Sequence, residues 1–333
     1  MLIQPQPTPY WQTSLAEGFQ NLTQLCQYLQ ISPTALNQPL VEHATFPLRV
    51  PLGFAACMEK GNPDDPLLRQ VLPIAEELVD YPGYSADPVG DLDANAAIGI
   101  IHKYHGRALI ITTGGCAINC RYCFRRNFPY AEVQLTKSRL DFTLEYIKQH
   151  AELTEIILSG GDPLLLNDDR LGELIMQLNA IKNLQRIRIH SRIPVVLPER
   201  ITPELLTMLK SSAKKIILVL HANHANELSQ NVAKVCTQLT QAGIMLLNQS
   251  VLLKDVNDSA SVLQALSEKL FSLNVMPYYL HLLDKATGTG HFEVAKPVAI
   301  RIYQQLQELL PGYLVPKLVS EQAGAAYKIS VSQ

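Results

Sequence analysis

Two patterns of apolar positions divide the chain. Up to about Asn95, Leu15, Phe19, Leu22, Cys26 and Leu29 recur at helical spacing and predict one amphipathic face. Pro33, Pro39, Pro47, Pro51, Pro63 and Pro66 then cut the chain into short pieces, since proline fixes its own φ and donates no amide hydrogen. From His102 the rhythm changes. Short apolar runs at 108–112, 155–158, 186–189, 215–220, 244–247 and 275–280 predict strands. Amphipathic stretches at 138–149, 169–178, 203–209, 226–241 and 259–271 predict the helices between them, and 297–310 one more after the last strand. In the first of these, Leu140, Leu144 and Ile147 share a face. Strands about every 30 residues joined by helices read as right-handed βαβ units. Six units predict an α/β fold built on a parallel barrel, complete or partial, with an open doubly wound sheet as the alternative. The organisation expected is a helical region over 1–95, a barrel core over 96–295 and a C-terminal segment over 296–333.

Polar residues gather where each predicted strand ends. The first is followed by Gly114-Gly115-Cys116-Ala117-Ile118-Asn119-Cys120-Arg121-Tyr122-Cys123, the second by Ser159-Gly160-Gly161-Asp162-Pro163, and the third by His190-Ser191-Arg192. His221-Ala222-Asn223-His224, Asn248-Gln249-Ser250, and Tyr278-Tyr279 with His281 and Asp284 follow the rest. Loops at the carboxyl ends of barrel strands share one mouth, so six clusters placed this way point to an enzyme.

Composition narrows the class. The chain has 333 residues, 47% hydrophobic and 17% charged, which is enough to bury a core and too apolar for disorder. A formal net charge of −2 carries no basic footprint for nucleic acid. No apolar run suits a bilayer, and Met1-Leu2-Ile3-Gln4-Pro5 does not start a signal peptide. The expectation is a cytoplasmic protein with reduced thiols, free to form a homo-oligomer.

Of six cysteines, Cys116, Cys120 and Cys123 form C-x3-C-x2-C on one loop. Zinc would need a fourth ligand, and no further cysteine lies nearby. Three thiolates suit a four-iron cluster with one iron left open. This motif resembles that of the radical S-adenosyl-L-methionine (SAM) enzymes. The resemblance implies a [4Fe-4S] cluster on these cysteines, whose open iron chelates SAM, with electron transfer generating a 5′-deoxyadenosyl radical. It also implies SAM contacts at Tyr122, at Gly160, Gly161 and Asp162, and at Ser191 and Arg192. For Asp162-Pro163 an ordinary helix start remains the alternative.

Further motifs narrow the family. His102-Lys103-Tyr104-His105-Gly106-Arg107, Cys123-Phe124-Arg125-Arg126, Ser191-Arg192-Ile193-Pro194, Asn248-Gln249-Ser250-Val251-Leu252-Leu253, Pro277-Tyr278-Tyr279 and Gly290-His291-Phe292 resemble lysine 2,3-aminomutases. Glu59-Lys60-Gly61-Asn62-Pro63-Asp64-Asp65-Pro66-Leu67-Leu68-Arg69-Gln70-Val71 and Phe128-Pro129-Tyr130-Ala131-Glu132 are similar to the short bacterial branch that makes (R)-β-lysine for elongation factor P. The resemblance implies pyridoxal 5′-phosphate (PLP) held covalently by Lys328 and contacted by Arg107, His221 and Gln249. It implies a substrate carboxylate on Arg125 and an ε-ammonium on Asp284 and Glu321. Each residue has a plainer reading: a solvated tail lysine for Lys328, a surface acid paired with Lys317 for Glu321, satisfied structural polar groups for His221 and Gln249. The activity implied is 1,2-amino migration on free L-lysine, an isomerisation fed by a reducing electron donor, with elongation factor P and its β-lysine ligase downstream. Lysine catabolism or osmolyte synthesis is the nearest alternative destination. A non-catalytic iron–sulfur or zinc redox sensor is the other class, and it would not need the polar clusters beyond the cysteine loop.

Overall fold

The computed structural model describes residues 10–36, 39–41, 46–97, 99–133 and 135–331. The opening pentapeptide Met1-Leu2-Ile3-Gln4-Pro5 lies outside them. All strands join one ten-stranded sheet in strictly sequential order. They are β1 (Asn95–Ala97), β2 (Ile100–Tyr104), β3 (Arg107–Thr113), β4 (Glu155–Gly160), β5 (Arg186–Ser191), β6 (Lys215–His221), β7 (Met245–Val251), β8 (Val275–His281), β9 (Lys317–Ser320) and β10 (Ile329–Ser330). A doubly wound sheet reverses its order at a switch point, so the sequential order leaves the partial barrel. Pairing from β3 to β9 is parallel, whereas β1–β2, β2–β3 and β9–β10 are antiparallel.

The six expected strands are present, and each runs past its predicted carboxyl end. Gly160, Ser191, His221 and His281 are therefore the last rungs of strands, and Gln249 lies within β7, rather than in loops. The antiparallel β1 and β2 went unpredicted, as did two further features. β9 adds a seventh parallel strand, in which only Leu318 and Val319 carry an apolar signal, and β10 folds back on it. The N-terminal apolar face is also not one helix. Phe19 exchanges both backbone hydrogen bonds with Val50 (2.7 and 2.9 Å), which splits the face into Tyr10–Ala16 and Leu22–Leu29, the second capped by Asn21.

Register and alternation position the site. Ile110, Leu158, Ile189, Leu218 and Leu246 lie side by side on β3–β7 and are buried beneath the helices. Successive side chains alternate across a sheet. Arg107 and Leu109, Glu155, Ile157 and Ser159, and Arg188 and His190 therefore face the other way and line the barrel's interior cavity. Among the described residues no helix is long and apolar enough to cross a membrane.

The loops after β3 and β4 interlock through backbone. Gly161 N donates to Thr113 O and Asp162 N to Gly115 O, both at 2.7 Å. A Cβ on Gly161 would stand 2.1 Å from the Gly115 carbonyl oxygen, so only glycine fits. Gly161→Ala is expected to cost about 2–3 kcal/mol of stability, read as a lower urea midpoint; an unchanged midpoint would show that the loops can separate.

Candidate active site

Cys116, Cys120 and Cys123 lie on the loop after β3, and the N-terminal region braces that loop from outside. Asn119 N donates to Arg49 O (3.1 Å), Asn119 Nδ2 to Pro47 O (2.9 Å), and Arg49 Nη1 to Cys116 O (3.1 Å). Arg121 is fully buried; its Nε donates to Glu77 Oε1 (2.7 Å) and its Nη1 to Phe46 O (2.7 Å). Glu77 also accepts from Arg126 Nη2 (2.6 Å), whose Nη1 reaches Gly288 O (2.8 Å). Burial, and then the nearby Cys120, push the Cys123 thiol up to about 11. Burial and Cys123 likewise raise Cys116. Among the described residues no three of His, Cys, Asp and Glu converge closely enough to hold one metal ion.

Asp162 spends its carboxylate on the protein. Oδ1 accepts from Leu164 N (3.1 Å) and Ser191 Oγ (2.7 Å), and Oδ2 from Arg192 N (2.8 Å) and Ile193 N (3.2 Å). It thereby ties the β4 loop to the β5 loop and caps the turn Pro163–Leu165. Burial, opposed by these donors, raises it to about 6. The Gly160 carbonyl accepts from the Tyr130 hydroxyl (2.7 Å). Arg192 reaches Cys120 Sγ (2.7 Å), Gln70 Oε1 (2.7 Å) and Glu227 Oε2 (3.0 Å), so the wall behind the cysteine loop is a buried polar network.

Across the cavity runs a chain of alternating charge. Arg125 Nε binds Asp91 (2.7 Å), Lys103 Nζ binds Asp91 (2.5 Å) and Glu321 (3.0 Å), and Lys328 Nζ binds Glu321. Lys103 is on β2 and Glu321 follows β9, so the chain also bridges the two sides of the open sheet. Burial would raise Glu321, but Lys328 and Lys103 hold it near 2. The backbone carbonyl of Asp284 accepts from Ala286 N (2.7 Å), but its carboxylate has no hydrogen-bond partner among the described residues. Burial, and then the charge of Glu321, lift it to about 7.

All sixteen residues singled out in the sequence line a single cavity of about 690 Å³. The cysteines, Gly160, Gly161, Asp162, Ser191 and Arg192 stand at its carboxyl end, and Arg107 at the first rung of β3 near the other. The plainer readings of Lys328 and Glu321 do not hold, since the two face each other in this cavity and Lys317 is not the partner. Asp91, Lys103, Arg188 and His190 line the cavity too; sequence reasoning passed over Asp91 and Arg188, and placed Lys103 and His190 in motifs without giving them a role. Arg188 and His190 could have been found from β5 parity, because they alternate with buried Ile187 and Ile189. Asp91 lies in an irregular segment with no such signal.

A C-x3-C-x2-C loop at the carboxyl end of a partial parallel barrel defines a radical SAM protein, and the family described as the Radical SAM superfamily matches residues 110–259. Proteins of this class carry a [4Fe-4S] cluster and SAM. An L-lysine 2,3-aminomutase of Escherichia coli (strain K12) is 49% identical over 319 residues, covering 96% of this chain and 93% of that one. One from Haemophilus influenzae is 46% identical, with 96% and 94% covered, and one from Clostridium subterminale 36%, with 84% and 67% covered. The chain belongs to the L-lysine 2,3-aminomutase family.

The raised Asp284 has a stability consequence. The folded protein holds a proton that the unfolded chain releases above its ordinary 3.8, so this group makes stability fall as pH rises from about 4 to about 7. Asp284→Asn removes that loss. It is expected to stabilise the ligand-free protein at pH 8 by on the order of 2 kcal/mol, with the gain shrinking toward pH 4. Urea unfolding across that range checks it, and a pH-independent difference would refute the assignment.

Proposed function

We propose that the protein is a radical SAM, PLP-dependent L-lysine 2,3-aminomutase that converts free L-lysine to (R)-β-lysine for elongation factor P. The observation that carries this reading is the single cavity with the cysteine loop at one end and Arg125 and Lys328 inside, beside the acids Asp284 and Glu321. In this reading Cys116, Cys120 and Cys123 hold the cluster. Gly160, Gly161, Ser191 and Arg192 flank SAM, while Asp162 keeps their two loops together.

Two observations support a PLP site. Arg188 Nε and His190 Nε2 are buried side-chain atoms without a hydrogen-bond partner among the described residues, and both residues line the cavity. Arg107 faces the same space, its guanidinium 4.4 Å over the Tyr104 ring. A phosphate-bearing ring would satisfy the two arginines as charge partners and neutral His190 as a hydrogen-bond partner, with His221 and Gln249 beside it. When bound, SAM with its cluster supplies the hydrogen-abstracting radical, and PLP supplies the π-system that carries a migrating nitrogen.

The chain's own groups do the selecting. Arg125 offers a planar fork to the substrate carboxylate. Lys328 covers Glu321 in the ligand-free protein. Once the Lys328 amine is engaged elsewhere, a substrate ε-ammonium restores a positive charge at Glu321 and draws Asp284 into its ionised form. A substrate ending in a carboxylate would meet two acids there and be rejected. Walls closed by Tyr122, Leu283 and Phe124 keep water from the reacting centre.

The link to elongation factor P is supported by the segment beginning at Glu59. Asp65 caps Pro66–Arg69 through Leu67 N (2.8 Å) and Leu68 N (2.9 Å), and Gln70 of the same turn joins the Arg192 network behind the cysteine loop. This short-branch feature thus forms part of the site's wall.

The decisive experiment is anaerobic incubation of the reconstituted protein with SAM, PLP, a reductant and L-lysine, followed by chiral analysis. (R)-β-lysine is expected; unchanged α-lysine or the (S) product would overturn the reading. Loss of β-lysyl-modified elongation factor P from cells lacking the protein would test its destination. Lys328→Ala is expected to abolish the borohydride-trapped PLP adduct, and an adduct persisting on another lysine would refute that choice. Asp284→Asn is expected to weaken lysine binding about 30-fold or more and to leave SAM binding within twofold; equal losses would count against the pocket.

A further inference from the structure

Tyr122 precedes the third cysteine, a place that marks it in the sequence as an apolar neighbour of the SAM nucleoside. Its ring is only 5% exposed. His221 stacks on it (centroids 5.6 Å apart, planes 17° apart), Phe292 meets it edge-on at 6.0 Å, and the Arg192 guanidinium lies 5.7 Å over it. Little of the ring is left for a ligand.

The hydroxyl is the informative atom. It lies 2.9 Å from His221 Nε2 and 3.4 Å from Gln70 Oε1. Gln70 Oε1 already accepts from Arg192 Nη2 (2.7 Å) and Asn223 Nδ2 (3.1 Å), and a carbonyl oxygen has two lone pairs. The Cys120 sulfur, also within reach of the hydroxyl, is assigned to the cluster, so the Tyr122 proton goes to His221 Nε2 and the imidazole carries its own proton on Nδ1. Burial, with Arg192 and His281 nearby, keeps the ring neutral, so its tautomer is the property left to be set. Nδ1 has no partner among the described residues, and His221 is the last rung of β6 on the cavity wall.

We infer that Tyr122 is a positioning residue that holds His221 as an Nδ1–H donor toward the phosphate-bearing ring in the cavity. The bond spans from the cysteine loop to the barrel wall, so it links the cluster end of the site to the PLP end. This inference rests on the reading that His221 contacts PLP. Without the bond, His221 would divide between two tautomers and the donor would be lost part of the time.

A double-mutant cycle read on PLP affinity tests it, by absorbance titration of cluster-loaded, SAM-saturated protein. Tyr122→Phe is expected to weaken PLP about tenfold, with iron content and SAM affinity within twofold of wild type. His221→Ala is expected to weaken PLP at least as much, and adding Tyr122→Phe to it should cost nothing further, because the tyrosine acts through the histidine. Additive losses, or a Tyr122→Phe protein weakened for SAM and not for PLP, would overturn the inference. A wild-type protein that takes up no PLP would instead overturn the reading it rests on. Should Tyr122→Phe lose its cluster, ¹⁵N spectra of histidine-labelled wild-type protein still decide. An unprotonated Nε2 and protonated Nδ1 at His221 are expected, and the reverse tautomer would refute the proposal.

Discussion

The alternation of side chains along a parallel strand is the constraint from which the rest of this structure follows. On β5, Ile187 and Ile189 turn toward the helices while Arg188 and His190 turn toward the cavity. The same parity sets Leu158 against Ser159 on β4 and Leu220 against His221 on β6. Because neighbouring strands are in register, the apolar residues make one continuous outer layer and the polar ones one continuous inner lining. A one-residue slip in any strand would exchange the two sets, burying arginine under helices and placing isoleucine at the site. Hydrophobic packing on the outside therefore enforces polar geometry on the inside.

That inner lining is costly. Arg125, Asp91, Lys103, Glu321 and Lys328 are held together largely out of water, and buried ion pairs add little net stability compared with apolar packing. Their value is chemical. Each of these charges has a partner within the protein, and the Asp284 carboxylate, left without one, is lifted toward its neutral form. The N-terminal region has a comparable role at the other end: Glu77 gathers Arg121 and Arg126 so that the cysteine loop is gripped from both sides.

The six barrel strands were legible because each is either an apolar run, such as Ile156, Ile157 and Leu158 of β4, or a strict alternation, such as Ile187 and Ile189 among Arg186, Arg188 and His190 of β5. Strand ends were less legible. Gly160, Ser191, His221 and Gln249 are polar or flexible, and nothing local says that the sheet continues through them; their neighbours' register does. β9 has four residues and two apolar ones, too few for any pattern. The split at Phe19 was invisible for a related reason: its cause is Val50, thirty-one residues away.

The sequence by itself determined which chemistry is present. Cysteine spacing and paired glycines are local facts that name a cluster motif and a close backbone approach, and the family resemblance adds the Lys328 amine. Only the tertiary structure decided which of these groups meet. It paired Lys328 with Glu321, gave Arg125 to Asp91, closed Asp162 upon Ser191 and the next loop, and set Tyr122 against His221. These partners lie 7 to 99 residues apart, and their meeting depends on strand register and on how far the sheet curls. Those are properties of the packed whole, where the energy of burying a layer of isoleucine and leucine settles the positions of a few charges.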